Sequence, residues 1–258
     1  MRTVTSKDGT RIAFDQLGEG PTIILVVGAF NDQATGAPLA RFLEQHFTVF
    51  NYDRRGRGQS GDTAPYAIER EIEDLDALIA QAGGSAGVFG YSSGATLALR
   101  AAAHGLNISQ LALYEPPPTG ARAGHLAPQL TELIAAGRRG DAVELFQIEA
   151  VGIPATIVAQ MRNAPFRPAL EKMAHTLVYE STILRSLPTG LLASVQIPTL
   201  VIDGEESPAV MRQAAQSLAE TLPDGHHRTL KGQGHDIVPA VVGPMLAAFF
   251  TGSLGERP

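Results

Sequence analysis

A chain of 258 residues with 44% hydrophobic and 18% charged residues can bury a sizeable core, which excludes a disordered or fibrous protein. Its formal net charge of −6 comes without a concentrated Lys/Arg face, so nucleic acid is excluded as a partner. With no cysteine there is no disulfide, no thiolate metal site and no cysteine nucleophile, and covalent chemistry is left to oxygen or nitrogen.

The start, MRTVTSKDGT, turns polar at once, and no stretch approaches the roughly 18 apolar residues of a membrane span. A cytoplasmic location and no membrane partner are therefore expected. RIAFDQLG (11–18) alternates and predicts an antiparallel strand with one wet face. TIILVV (22–27) and FTVFNY (47–52) are continuous apolar runs, as in strands covered on both faces. Arg54, Arg55 and Arg57 follow in a glycine-rich turn bracketed by Asp53 and Asp62, which predicts local ion pairing rather than a binding patch. Ile68, Ile72, Leu75, Leu78 and Ile79 share one helical face, closed by Gly83 and Gly84.

Val88 and Phe89 form a brief buried strand that leads into GYSSG, and SGATLALRAAAHG then reads as a helix ending at Gly105. Gly-x-Ser-x-Gly is a weak signal alone, but here it has its strand–turn–helix setting. Gly90 and Gly94 remove side chains from a sharp turn, and Ser92 stands at a helix N-terminus, where unpaired amides favour negative charge. Ser92 is thus the expected nucleophile. The amide of Ser93 is the first expected oxyanion donor, and the loop after the 22–27 strand supplies the second at Ala29, beside the permissive Gly28.

ISQLALYEPPP returns to strand and is stopped by three prolines. Residues 119–193 carry helical spacing without strands, as in PQLTELIAAG and PALEKMAHTLVYESTILRSL, and predict a helical insertion. Phe146, Ile148, Met161, Phe166, Met173 and Tyr179 are its candidate pocket walls. Strands resume at IPTLVIDG (197–204) and HHRTLKG (226–232), each followed by a helix, and the rhythm of the whole predicts an α/β fold.

A serine hydroxyl needs a base. His235, in the glycine loop GQGHD after the last strand, is placed to reach the C-terminal edge of a sheet. His226 and His227 point to opposite faces of one strand and cannot chelate a metal together. His46, His104, His125 and His175 belong to no constellation, so neither a metal nor a cofactor is expected.

VVGAF, YDRRGRGQSGD, GYSSG, the helical insertion, PTLVIDGEESP and GQGHD together resemble the α/β-hydrolase fold superfamily, in the esterase, lipase and haloperoxidase-like group. The resemblance implies a mostly parallel eight-stranded sheet with helices on both faces. It also implies a core of residues 1–118 and 194–258 and a helical lid, 119–193, after the sixth strand. Where relatives place the acid of a catalytic triad, this chain has Ser207. Two carboxylates remain in reach: Glu115, at the end of the sixth strand, where some superfamily members carry their acid, and Glu206 as the alternative. The implied activity is a serine hydrolase acting on a small carboxylic ester, thioester or lactone. A non-catalytic small-molecule-binding protein, or lyase, perhydrolase or cofactor-free oxygenase chemistry, is the alternative on the same scaffold. Nothing in the sequence fixes the oligomeric state.

Overall fold

The apolar runs of the sequence become the inner strands of one sheet. The computed structural model describes residues 1–118, 120, 122–188 and 190–253. Its strands are β1 (Arg2–Thr5), β2 (Arg11–Leu17), β3 (Thr22–Val26), β4 (Thr48–Tyr52), β5 (Ala86–Tyr91), β6 (Ile108–Tyr114), β7 (Thr199–Gly204) and β8 (Gly225–Leu230). They form an eight-stranded sheet in the order β1-β2-β4-β3-β5-β6-β7-β8. The β1–β2 and β2–β4 pairings are antiparallel and the rest parallel. All six residues of β5 and all six of β7 are buried, which is why neither alternates in polarity.

Helices α1 (Gln33–Leu43), α2 (Ile68–Gln81), α3 (Ser93–Ala103), α9 (Ala209–Thr221) and α10 (Pro239–Phe250) cover the sheet. Between β6 and β7 run α4 (Ala127–Ala135), α5 (Arg139–Phe146), α6 (Ala155–Gln160), α7 (Arg167–Lys172) and α8 (Thr176–Ile183), with a π-helical turn at Gln147–Val151. Thr119, the residue at which the helical insertion is expected to begin, lies outside the described residues. Two apolar clusters flank the sheet. One packs α2 and α3 residues such as Leu75, Leu78 and Leu97 against Val88 and Leu111, and the other packs Leu39, Leu43 and Leu246 of α1 and α10 against Ile23 and Phe89. A third joins Leu130, Val143, Phe146 and Leu177 of α4, α5 and α8 to Ala29 and Phe30, in the loop after β3. No helix among the described residues is long and apolar enough to cross a membrane.

Three local expectations need correction. Ile12, Ala13 and Phe14 of β2 are buried on both faces, because the turn after β4 folds over them: Ser60 Oγ accepts from the amide of Ala13, and the carbonyl of Ala13 accepts from the amide of Asp53. The single helical run expected over 168–187 breaks into α7 and α8. The arginines do pair, though not with the bracketing aspartates. Arg54 reaches Glu71 and Glu180, Arg55 reaches Asp74 and Asp8, and Arg57 reaches Glu180, while Asp53 is taken by the amides of Gln33 and Gln59.

Candidate active site

The turn after β5 holds Ser92 at φ 55° and ψ −128°, a left-handed conformation that a β-substituted residue adopts only at a cost. Surrounding structure imposes it. The amide of Ser92 donates to the carbonyl of Tyr114 at the end of β6 (2.9 Å), and α3 starts at the next residue. A Cβ on Gly94 would run into the carbonyl of Val26 on β3, so only glycine lets the helix start this close to the sheet. A Cβ on Gly28 would lie 2.8 Å from that of Ser92, which explains the glycine that opens the loop beside the turn.

His235 is brought in from the loop after β8. Ser92 Oγ stands 3.2 Å from His235 Nε2, within hydrogen-bond reach of the ring. On the other side His235 Nδ1 stands 3.3 Å from Glu115 Oε2. Glu115 follows β6 directly and is 1% exposed. Its other oxygen, Oε1, accepts from the amide of Gly204 (2.7 Å) at the end of β7, and its own amide donates to the carbonyl of Ile202 (2.8 Å). Both the backbone and the carboxylate of Glu115 are thereby anchored to β7, with Oε2 left for the imidazole. Tyr91 packs its ring against His235, centroids 5.1 Å apart. Burial pushes the Tyr91 phenol well above its ordinary value, so it stays neutral.

Glu206 is exposed, and its side chain makes no hydrogen bond or ion pair among the described residues; its amide donates to the carbonyl of Gln233. Of the two carboxylates weighed from the sequence, the fold brings Glu115 to His235. Ser207 is buried, with no hydrogen-bond partner for its hydroxyl among the described residues.

Ala29 lies beside the turn, and its amide donates to the hydroxyl of Ser93 at 2.9 Å. Arg57 Nη1 holds the carbonyls of Gly28 (2.5 Å) and Asn31 (3.0 Å), and Asn31 Nδ2 holds that of Ala29 (2.7 Å). Those bonds fix the peptide planes of residues 28–31. Phe30, within this loop, has φ 60°.

Ser92, Ser93, His235, Glu115, Ala29 and Phe30 all line one cavity of about 390 Å³. Phe30, Ser92 and Glu115 are also the non-glycine residues with positive φ among the described residues, at 60°, 55° and 53°. Backbone strain gathers where a fold over-determines a site, and here it gathers at a single cavity. Neither Phe30 nor Glu115 belongs to a residue type that marks such strain in advance. Of the six candidate walls from the helical segment Phe146 lines the cavity, while Tyr179 stacks on Tyr66 at 3.9 Å and Phe166 is 48% exposed. No group of three or more His, Cys, Asp or Glu among the described residues is arranged to hold a metal ion.

A model of a family described as the alpha/beta hydrolase family matches residues 23–243. The crystal structure of an alpha/beta hydrolase from Sphaerobacter thermophilus is 52% identical, covers 96% of this chain and 100% of its own, and superposes with a TM-score of 0.88. N-formylmaleamate deformylase of Pseudomonas putida is 36% identical over 107 residues, 40% of this chain and 40% of that protein. Pimeloyl-[acyl-carrier protein] methyl ester esterase of Xanthomonas campestris is 27% identical over 237 residues, covering 86% of this chain and 90% of that protein.

Proposed function

The chain belongs to the alpha/beta hydrolase family, and from that premise we propose that it is a serine hydrolase cleaving a small carboxylic ester, thioester or lactone through an acyl-enzyme on Ser92. The observation that carries this reading is the unbroken series from Ser92 Oγ to His235 Nε2, 3.2 Å, and from His235 Nδ1 to Glu115 Oε2, 3.3 Å. A nucleophile, a base and an orienting carboxylate in that order activate a hydroxyl that is unreactive alone. The esterase and deformylase names of the relatives fit attack on a carbonyl carbon.

Ser92 Oγ attacks the substrate carbonyl while His235 Nε2 takes its proton. Glu115 holds the Nδ1 proton, which fixes the tautomer and stabilises the imidazolium that forms. The tetrahedral oxyanion is received by the amides of Ser93 and Ala29. The second exchanges the neutral Ser93 hydroxyl for the charge, since a charged acceptor forms a bond roughly twice as strong. Collapse expels the alcohol, thiol or ring oxygen, protonated from Nε2, and water repeats the sequence to free the acid. The helices between β6 and β7 act as the lid, 119–193, over the core of 1–118 and 194–258. Glu115 takes the part for which Ser207 has no carboxylate, which favours an enzyme over a binding protein.

The test joins a fluorophosphonate probe to a screen of short p-nitrophenyl esters. Stoichiometric labelling and ester turnover, both abolished in Ser92→Ala, are expected. A Ser92 that neither labels nor supports turnover would overturn the reading.

A further inference from the structure

We propose that the cavity beside Ser92 takes an uncharged, apolar acyl or alkyl group and rejects substrates that carry a carboxylate on that group. The proposal rests on Ser92, His235 and Glu115 as the reacting residues and adds the class of substrate that they receive.

Most of the cavity lining is hydrocarbon. Phe30 meets Phe146 edge to face, ring centroids 5.6 Å apart at 85°, so the loop after β3 and α5 form one continuous aromatic surface. Leu184 also lines the cavity, as do Val151, from the π-helical turn, and Met211, from α9. Val151 is 55% exposed, so an apolar face continues outward from the cavity. At about 390 Å³ the space suits a small molecule.

Charge decides what such a wall accepts. Besides the neutral Tyr91 phenol, the ionisable side chains lining the cavity are Glu115 and His235, and among the described residues no Lys or Arg lines it. Two guanidinium groups, Arg54 and Arg57, stand behind the loop after β3, but they are matched by two buried carboxylates, Glu71 and Glu180, and lend no net positive field. Asn31 is a neutral amide, and one of its two N–H donors is already committed to the carbonyl of Ala29. A carboxylate carried into this space would lose its water, gain no cation and approach Glu115, whereas an alkyl chain gains from burial against Phe30 and Phe146.

Binding to Ser92→Ala protein tests this without turnover. Titration calorimetry at neutral pH would compare methyl hexanoate with monomethyl adipate, two methyl esters of equal acyl length, the second ending in a carboxylate. The neutral ester is expected to bind about tenfold more tightly or better. Adding Met211→Arg, which brings a cation to the cavity, is expected to narrow that ratio by about threefold. Equal or tighter binding of the adipate, or no detectable binding of methyl hexanoate up to its solubility, overturns the proposal. If wild-type protein hydrolyses neither ester while Ser92→Ala protein still prefers methyl hexanoate, the acyl-enzyme reading falls and the charge preference stands.

Discussion

Arg57, in the turn after β4, and Glu180, on α8, form a fully buried ion pair that ties the helical segment to the loop beside Ser92. Arg57 Nη1 passes the connection on to the carbonyls of Gly28 and Asn31, and Arg54 Nη1 bonds both Glu180 (2.8 Å) and the carbonyl of Val27 (3.1 Å). Burial and the adjacent Arg54 charge push the Arg57 guanidinium below its ordinary value, against the pull of Glu180. Glu180→Gln leaves that charge buried and poorly compensated, and breaking such a pair costs about 3–5 kcal/mol. Denaturant unfolding is expected to register a loss of that size. With the peptide planes of residues 28–31 loosened, kcat should fall further than KM rises. A stability change below about 1 kcal/mol would show that the pair does not hold the loop.

Glu115→Gln separates the two carboxylates weighed from the sequence. The glutamine keeps the shape but presents the imidazole with a neutral partner able to hold the wrong tautomer, and the corresponding change in a serine protease triad lowers kcat by about 10⁴. A loss of two or more orders of magnitude is expected, with KM little changed, while exposed Glu206→Gln stays within about twofold of wild type. Steady-state kinetics of the two variants on one ester decides the matter, and the reverse pattern would hand the role to Glu206.

Ser93→Ala tests how the Ala29 amide is used. In the free enzyme that amide is taken by the Ser93 hydroxyl. If the hydroxyl merely yields its place to the oxyanion, its removal leaves the donor in position, and kcat should stay within about threefold. Losing a true oxyanion donor costs about 10²–10³ in kcat. A drop of that size would identify the Ser93 hydroxyl itself as the donor. Binding of a boronic acid transition-state analogue should move in parallel with kcat.

The inner strands and the Ser92 turn were legible because local chemistry fixes them. Apolar runs want cover on both faces, and Gly94 is required where α3 meets Val26. Helix α1 is obscured in the sequence because Gly36 and Pro38 lie within it, although Asp32 caps it through the amide of Ala34. The partners of Arg54 and Arg57 were illegible for another reason: Glu180 is 126 and 123 residues away, and only the packing of α8 against the core brings it there. The walls of the cavity follow the same rule, since helical spacing marks which residues are apolar and not which way a helix turns them.

Acid sensitivity follows from Glu71. Burial alone would push its carboxyl up, but Arg54, donating from Nε and Nη2 at 2.7 and 2.8 Å, outweighs burial and holds it below the ordinary carboxylate range. A carboxyl depressed in the folded state stabilises fully above its unfolded value, about 4.3, and that contribution is lost as pH falls through the folded value. Asp53 and Asp74, pushed up by burial, act with the opposite sign, so the wild-type curve alone does not isolate the effect. Comparison with Glu71→Gln does. The variant is expected to be less stable by about 3–5 kcal/mol at pH 7, because Arg54 loses a charged partner, and the gap should close as pH drops below about 4. Calorimetric melting of both proteins across that range reads the gap directly. A difference that stays constant down to about pH 3 would mean that the charge of Glu71 adds nothing beyond the packing of its side chain.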